Sequence, residues 1–126
     1  MLKKLAVVFG VVFLLVGVLG FVPALTPNGH LLGLFHINPL HNVVHLGSGA
    51  VALWVGLTSE RGAKLYFQIF GLVYAVVAIL GFVYGDQPIL GLVANNAADT
   101  WLHVVIAVAA LYLGFLMKPA ATPTAA

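Results

Sequence analysis

The chain has 126 residues, of which 63% are hydrophobic and 6% charged, with five Lys/Arg against three Asp/Glu and a formal charge of +2. Soluble domains carry about 25% charged residues, so this composition cannot cover a water-soluble globule, and disorder is excluded because disordered chains lack apolar content. With no cysteine there is no disulfide, thiolate metal site, iron–sulfur cluster or c-type haem attachment, and so few basic residues make no nucleic-acid surface.

What remains is a small all-α membrane protein. A helix crossing the hydrocarbon layer needs roughly 20 mostly apolar residues. Four stretches qualify, at 5–22, 39–57, 63–84 and 97–117. Backbone polar groups in lipid are satisfied within a single segment only by helix. The short connections leave no room for a soluble domain, so residues 1–118 are expected to form one four-helix membrane domain. The Ala/Thr/Pro-rich stretch 119–126 is expected to be a disordered tail. Lys3 and Lys4 precede the first span, Arg61 and Lys64 lie between the second and third, and Lys118 follows the fourth. All five then share one side. The positive-inside rule places that side, with both termini, in the cytoplasm, and turns the loops 23–38 and 85–96 outward. The first apolar run is longer than the core of a secretory signal and has no A-x-A site after it, so it is expected to be retained.

The two halves repeat each other. Gly10–Val22 reads GVVFLLVGVLGFV and Gly71–Val83 reads GLVYAVVAILGFV, identical at seven of thirteen positions. Further on, Leu31-Leu32-Gly33-Leu34-Phe35 parallels Ile89-Leu90-Gly91-Leu92-Val93. Asn38 then falls on Asn96, His41 on Asp99, His45 on His103 and Trp54 on Tyr112. Polar matches at fixed spacing do not arise from apolar composition alone. Two tandem helix–loop–helix units that each cross twice have the same orientation, which predicts a parallel pseudo-two-fold along the membrane normal, with spans two and four facing each other. Small residues that let helices approach in lipid recur at Ser48, Ala52 and Gly56, at Ala110 and Gly114, at Gly10, Gly17 and Gly20, and at Gly71, Ala75 and Ala78. Phe21, Tyr84 and Trp101 at the outer ends, and Trp54, Tyr66 and Tyr112 at the inner ends, read as interfacial belts.

The candidate site lies at the outer starts of spans two and four. Asn38 before Pro39 is a helix cap with a preorganised first position, and Asn96 is its counterpart. Asp99 then stands where a carboxylate completes a capping box. His41 and His45 are spaced to share a helix face, as are Asp99 and His103. If the halves are copies, three imidazoles and a carboxylate converge inside the bundle, where ionisable groups are costly and face a partner or a wet cavity. His41, His45, Asp99 and His103 form a candidate set for a Zn, Fe or Cu ion, with Asn42 and Asn95 as outer partners fixing the rings. The bland alternative is a hydrogen-bonded network tying the helix tops together. Haem is a weaker alternative, with His45 and His103 as axial ligands: Gly47 and Gly49 would leave room, while Val104 and Val105 are less accommodating. His30 and His36 have no counterparts in the second half, where Pro88 and Ala94 stand, and read as solvated loop residues.

The stretch Gly33-Leu34-Phe35, followed by Asn38, His41-Asn42 and His45, and later by Asn96, Asp99 and Leu102-His103, resembles a bacterial integral membrane family catalogued as domain of unknown function 4383. The resemblance covers residues 1–118. It implies four membrane helices in a bacterial envelope protein and brings no activity with it, and His30 and His36 lie outside its pattern. The functional readings are therefore a metal-binding protein of the bacterial inner membrane, a structural or accessory subunit held to other membrane proteins or to copies of itself, and a transporter. Transport ranks low because carriers place ion-binding groups near the midplane, where this chain has no Asp, Glu, Lys or Arg. No nucleophile–base pair, phosphate loop or zinc-protease motif suggests an enzyme.

Overall fold

Helix starts in this chain are set by side chains that accept from otherwise orphaned backbone N–H groups. Asn38 accepts from His41 N and opens α2 (Pro39–Thr58); Asn96 accepts from Asp99 N and opens α4 (Ala97–Leu111). Ser59 accepts from Gly62 N and opens α3 (Glu60–Tyr84), so a single residue separates α2 from α3. The first helix, α1 (Leu2–Leu19), has no cap of its own. Glu60 supplies one from the neighbouring helix, its carboxylate accepting from Leu2 N at 3.0 Å and Lys3 N at 3.2 Å. The structure is a computed structural model that describes residues 1–118; the expected tail at 119–126 lies outside the described residues. All four helices, counting α4 together with the π-helical turn Tyr112–Leu116 that continues it, are long and apolar enough to cross a membrane.

The connection from α1 to α2 holds two 3-10 turns and a two-stranded hairpin, β1 (His30–Leu31) with β2 (Phe35–His36). Its tight turn needs two consecutive residues at positive φ, and Leu32 and Gly33 adopt 55° and 72°. The connection from α3 to α4 repeats the device: Leu90 and Gly91 take 53° and 72°, beneath a bridge between Ile89 and Val93.

The helices pair as α1 with α2 and α3 with α4. Contact in these pairs is backbone to backbone. A Cβ on Gly10 would lie 2.6 Å from Leu53 N, and one on Gly71 2.9 Å from Leu111 N; one on Gly56 would lie 2.7 Å from Val7 N, and one on Gly114 2.6 Å from Gln68 N. A Cβ on Gly20 would run into the Asn42 amide, and one on Gly81 into the Thr100 hydroxyl. On α2 this seam runs through Gly49, Ala52 and Gly56, which are buried; Ser48, expected on it, lies beside it and faces α3.

The two pairs are joined through aromatic rings of α1 and α3, not only through the expected meeting of spans two and four. Phe9 packs edge-on against Phe67 and Phe70, and Phe13 edge-on against Phe70 and Tyr74, with centroids 5.3–5.9 Å apart. α2 approaches α4 through histidine rings at one end. Above those rings the caps reach across: Asn38 Nδ2 donates to Leu92 O at 3.0 Å and Asn96 Nδ2 to Leu34 O at 2.9 Å. At the opposite end Lys64 Nζ and Gln68 Nε2 both donate to Gly114 O, a carbonyl in the π-helical turn. Tyr66, expected in an interfacial belt, is half-buried and donates to Ser48 O at 2.9 Å.

Overpacking a tight contact costs about 1–3 kcal/mol. Gly10→Val must push α1 off α2, so its thermal midpoint in detergent, followed by circular dichroism, is expected to fall clearly below the parent's. Gly47→Val, where an added Cβ meets nothing within 4 Å, is expected to melt with the parent.

Candidate metal centre

His41 and His45 lie one turn apart on α2, and the α3–α4 pairing brings His103 of α4 against them. The three residues are 3%, 5% and 4% exposed. One ligand-capable nitrogen from each can be chosen so that all lie within 4.8 Å of one another. The rings are layered: His41 stacks on His45 with centroids 4.8 Å apart, and His103 stands 5.9 Å from His41 and 6.4 Å from His45. Aromatic neighbours hold them from below. Phe13 stacks on His45 at 5.1 Å and Tyr74 meets His103 edge-on at 5.3 Å.

The hydrogen bonds decide the tautomers. His41 Nδ1 lies 3.0 Å from Ala94 O. A carbonyl only accepts, so Nδ1 carries a proton, and Nε2 of a neutral His41 is an acceptor. His45 Nε2 lies 2.9 Å from that atom and donates to it. His45 Nδ1 is then a bare lone pair, buried and without a partner. His103 Nδ1 is also buried and unpartnered, and the ring makes no hydrogen bond among the described residues. Leaving a buried polar group unsatisfied costs about 1–3 kcal/mol.

Asp99 does not join this cluster. Its carboxylate accepts from Asn96 N at 3.0 Å while Asn96 Oδ1 accepts from Asp99 N at 2.9 Å, a complete capping box. Asn42 and Asn95, expected to hold the rings, tie helix ends instead. Asn42 Nδ2 donates to Gly20 O at 2.9 Å, and Asn95 Nδ2 to Gly85 O at 2.7 Å and Gly81 O at 3.3 Å. The ring-fixing partner is the Ala94 carbonyl, a backbone group that side-chain spacing does not reveal. His30 and His36 pair across the hairpin and stack on each other at 4.7 Å, and neither joins the grouped nitrogens of the buried three.

A carbonyl holding Nδ1–H is the usual outer support of a metal-ligating histidine, and an ion would take the His41 Nε2 lone pair in place of the hydrogen bond from His45 Nε2. Metal–nitrogen bonds of about 2.0–2.1 Å require the three nitrogens, which lie within 4.8 Å of one another, to draw closer by rotation about side-chain bonds. Haem fits less well: a third imidazole rests against both His45 and His103, where a porphyrin plane held between them would have to pass.

Fold and cluster together define a bundle of four helices capable of crossing a membrane, with three histidines buried at the end where α2 and α4 begin. The chain matches the family model described as Domain of unknown function (DUF4383) over residues 3–116, and it belongs to that family. No curated protein and no solved structure matches it.

His41→Leu strands the Ala94 carbonyl and His45 Nε2 together, so it is expected to cost about 1–3 kcal/mol in denaturant unfolding of metal-free protein. His103→Leu removes a ring with no hydrogen bond and is expected to be neutral or stabilising in the same measurement.

Proposed function

We propose that this protein binds a single transition-metal ion, Zn, Fe or Cu, through His41, His45 and His103. The observation that carries the reading is the pair of buried, unpartnered Nδ1 atoms on His45 and His103 beside a His41 whose Nδ1–H is held by Ala94 O. Imidazole nitrogens suit these metals, and three histidines leave a position open for a further ligand. Asp99 supports the site as a cap that sets the start of α4.

The membrane setting and the duplication belong to the same proposal. The five basic residues share one end of the bundle, which supports an inner-membrane protein with cytoplasmic termini and the histidines beneath the periplasmic surface. Tandem duplication is supported by contacts that recur between aligned residues: Gly10 with Leu53 as Gly71 with Leu111, Gly20 with Asn42 as Gly81 with Thr100, and Asn38 with Leu92 as Asn96 with Leu34. A second reading, an accessory subunit of a larger membrane complex with a purely structural cluster, is favoured by the His41–Ala94 and His41–His45 hydrogen bonds. It leaves His103 without a role.

Elemental analysis of detergent-purified protein separates the two. About one metal per chain is expected in the parent and in Asp99→Asn, and none in the His45→Ala/His103→Ala double variant. A parent that folds with normal helicity but retains no metal, and takes up none on dialysis against Zn, Fe or Cu salts, would refute the proposal.

A further inference from the structure

Two cavities open where the helix pairs meet. One, of about 810 Å³, lies between α2 and α3; the other, of about 340 Å³, lies between α1 and α4. Every residue lining the smaller has its aligned counterpart lining the larger; Phe13 and Ile106, for example, answer to Tyr74 and Ser48. They are the same groove formed twice, and their difference in size has a cause in the sequence. Where α4 carries Leu102, Val105 and Ile106, α2 carries Val44, Gly47 and Ser48. The chain has widened one copy of the groove, directly beside the histidines.

The walls of the wide groove specify what fits. The three imidazoles, Ser48 and Tyr74 stand toward one end, and Thr58 and Ser59 at the other; between them the lining is mostly apolar, with the Tyr66 hydroxyl committed to Ser48 O. His103, 4% exposed and without a hydrogen bond among the described residues, stands beside Tyr74 in the lining. No Lys, Arg, Asp or Glu lines the groove, so nothing there would neutralise a phosphate or carboxylate in a medium where an unpaired charge is costly. With the histidines free of metal, the head of an occupant is therefore neutral. Tyr66, Phe70 and Tyr74 form one wall, a surface suited to a flat conjugated ring. From Ser48 to Thr58 the helix rises roughly 15 Å, enough to take a chain of about ten carbons.

We infer that the groove between α2 and α3 binds a prenylated quinone or its quinol, with the ring among His103, Ser48 and Tyr74 and the isoprenoid chain running along Val51 and Trp54. The binding needs the widened groove and neutral hydrogen-bonding partners; it does not depend on an ion at the histidines.

Trp54 lines this groove, and Trp101 is not among its lining residues. In full-length protein carrying Trp101→Phe, decylubiquinone is therefore expected to quench the remaining tryptophan fluorescence saturably, with about one site per chain. Adding Gly47→Val and Ser48→Ile, the residue types of the narrow groove, is expected to raise the Kd at least about tenfold, about 1.4 kcal/mol. The reverse exchange on α4, Val105→Gly with Ile106→Ser, is expected to create a second site, read by equilibrium dialysis, and so tests the idea even if the filled variant folds poorly. Non-saturating quenching, or equal quenching in a folded filled variant, would mean simple partition into the micelle and would overturn the inference. Competition by dodecanol as strong as that by decylubiquinone would overturn the assignment of a quinone ring. Metal content measured on the filled variant keeps this result separate from the fate of the metal proposal, since the three histidines are unchanged.

Discussion

The rest of the structure depends on backbone contact within each helix pair. Between helices in a bilayer, apolar side chains gain little by leaving lipid, and association relies on close packing of small residues. Gly10 against Leu53 and Gly71 against Leu111 meet this condition at equivalent places in the two pairs, and Gly56 and Gly114 meet it again toward the other end. Once each pair is zipped along its seam, bulky rings are left on one flank of α1 and of α3. Phe9, Phe13, Phe70 and Tyr74 then interlock and join the pairs. A Cβ on any of the seam glycines would move a whole helix, and with it the relative height of these rings.

The histidine cluster inherits its geometry from that frame. His45 rests on Phe13 and His103 on Tyr74, so the aromatic layer is also the floor of the site. Its roof is formed by the loop before α4, whose Ala94 carbonyl holds His41, and by the reciprocal Asn38 and Asn96 bonds to Leu92 and Leu34. Floor and roof leave the imidazoles little freedom. The site is not symmetric even though its supports are. One half contributes two histidines, and the other contributes one together with Asp99, whose carboxylate is engaged in a cap. The same unevenness appears in the two grooves, where smaller residues on α2 leave the larger cavity beside the histidines.

Much of this was legible without coordinates. Four apolar runs, the Asn38-Pro39 and Asn96 caps, and the spacing of His41 with His45 follow from local rules. Helix capping and helix-face spacing involve residues only three or four apart. Boundaries were less legible: α3 begins at Glu60 because Ser59 caps it, and α1 gives way to Gly20 before the end of its apolar run. Apolar composition continues smoothly past such points and carries no mark of where hydrogen bonding changes. Ser48 was expected on the packing seam and faces the groove, because small size is the same signal for a tight contact and for an open space.

By itself the sequence determined that this is an apolar four-helix chain, which side carries the basic residues, and which polar residues stand at the helix starts, since each follows from composition or from neighbours along the chain. Only the tertiary structure decided which of those polar groups meet. It brought His41, His45 and His103 together, committed Asp99, Asn42 and Asn95 to tying helix ends, and assigned the support of His41 to a backbone carbonyl. Such choices depend on how helices rotate and slide against one another. Glycine seams and interlocked rings set that rotation across the whole bundle, over distances that local spacing does not encode.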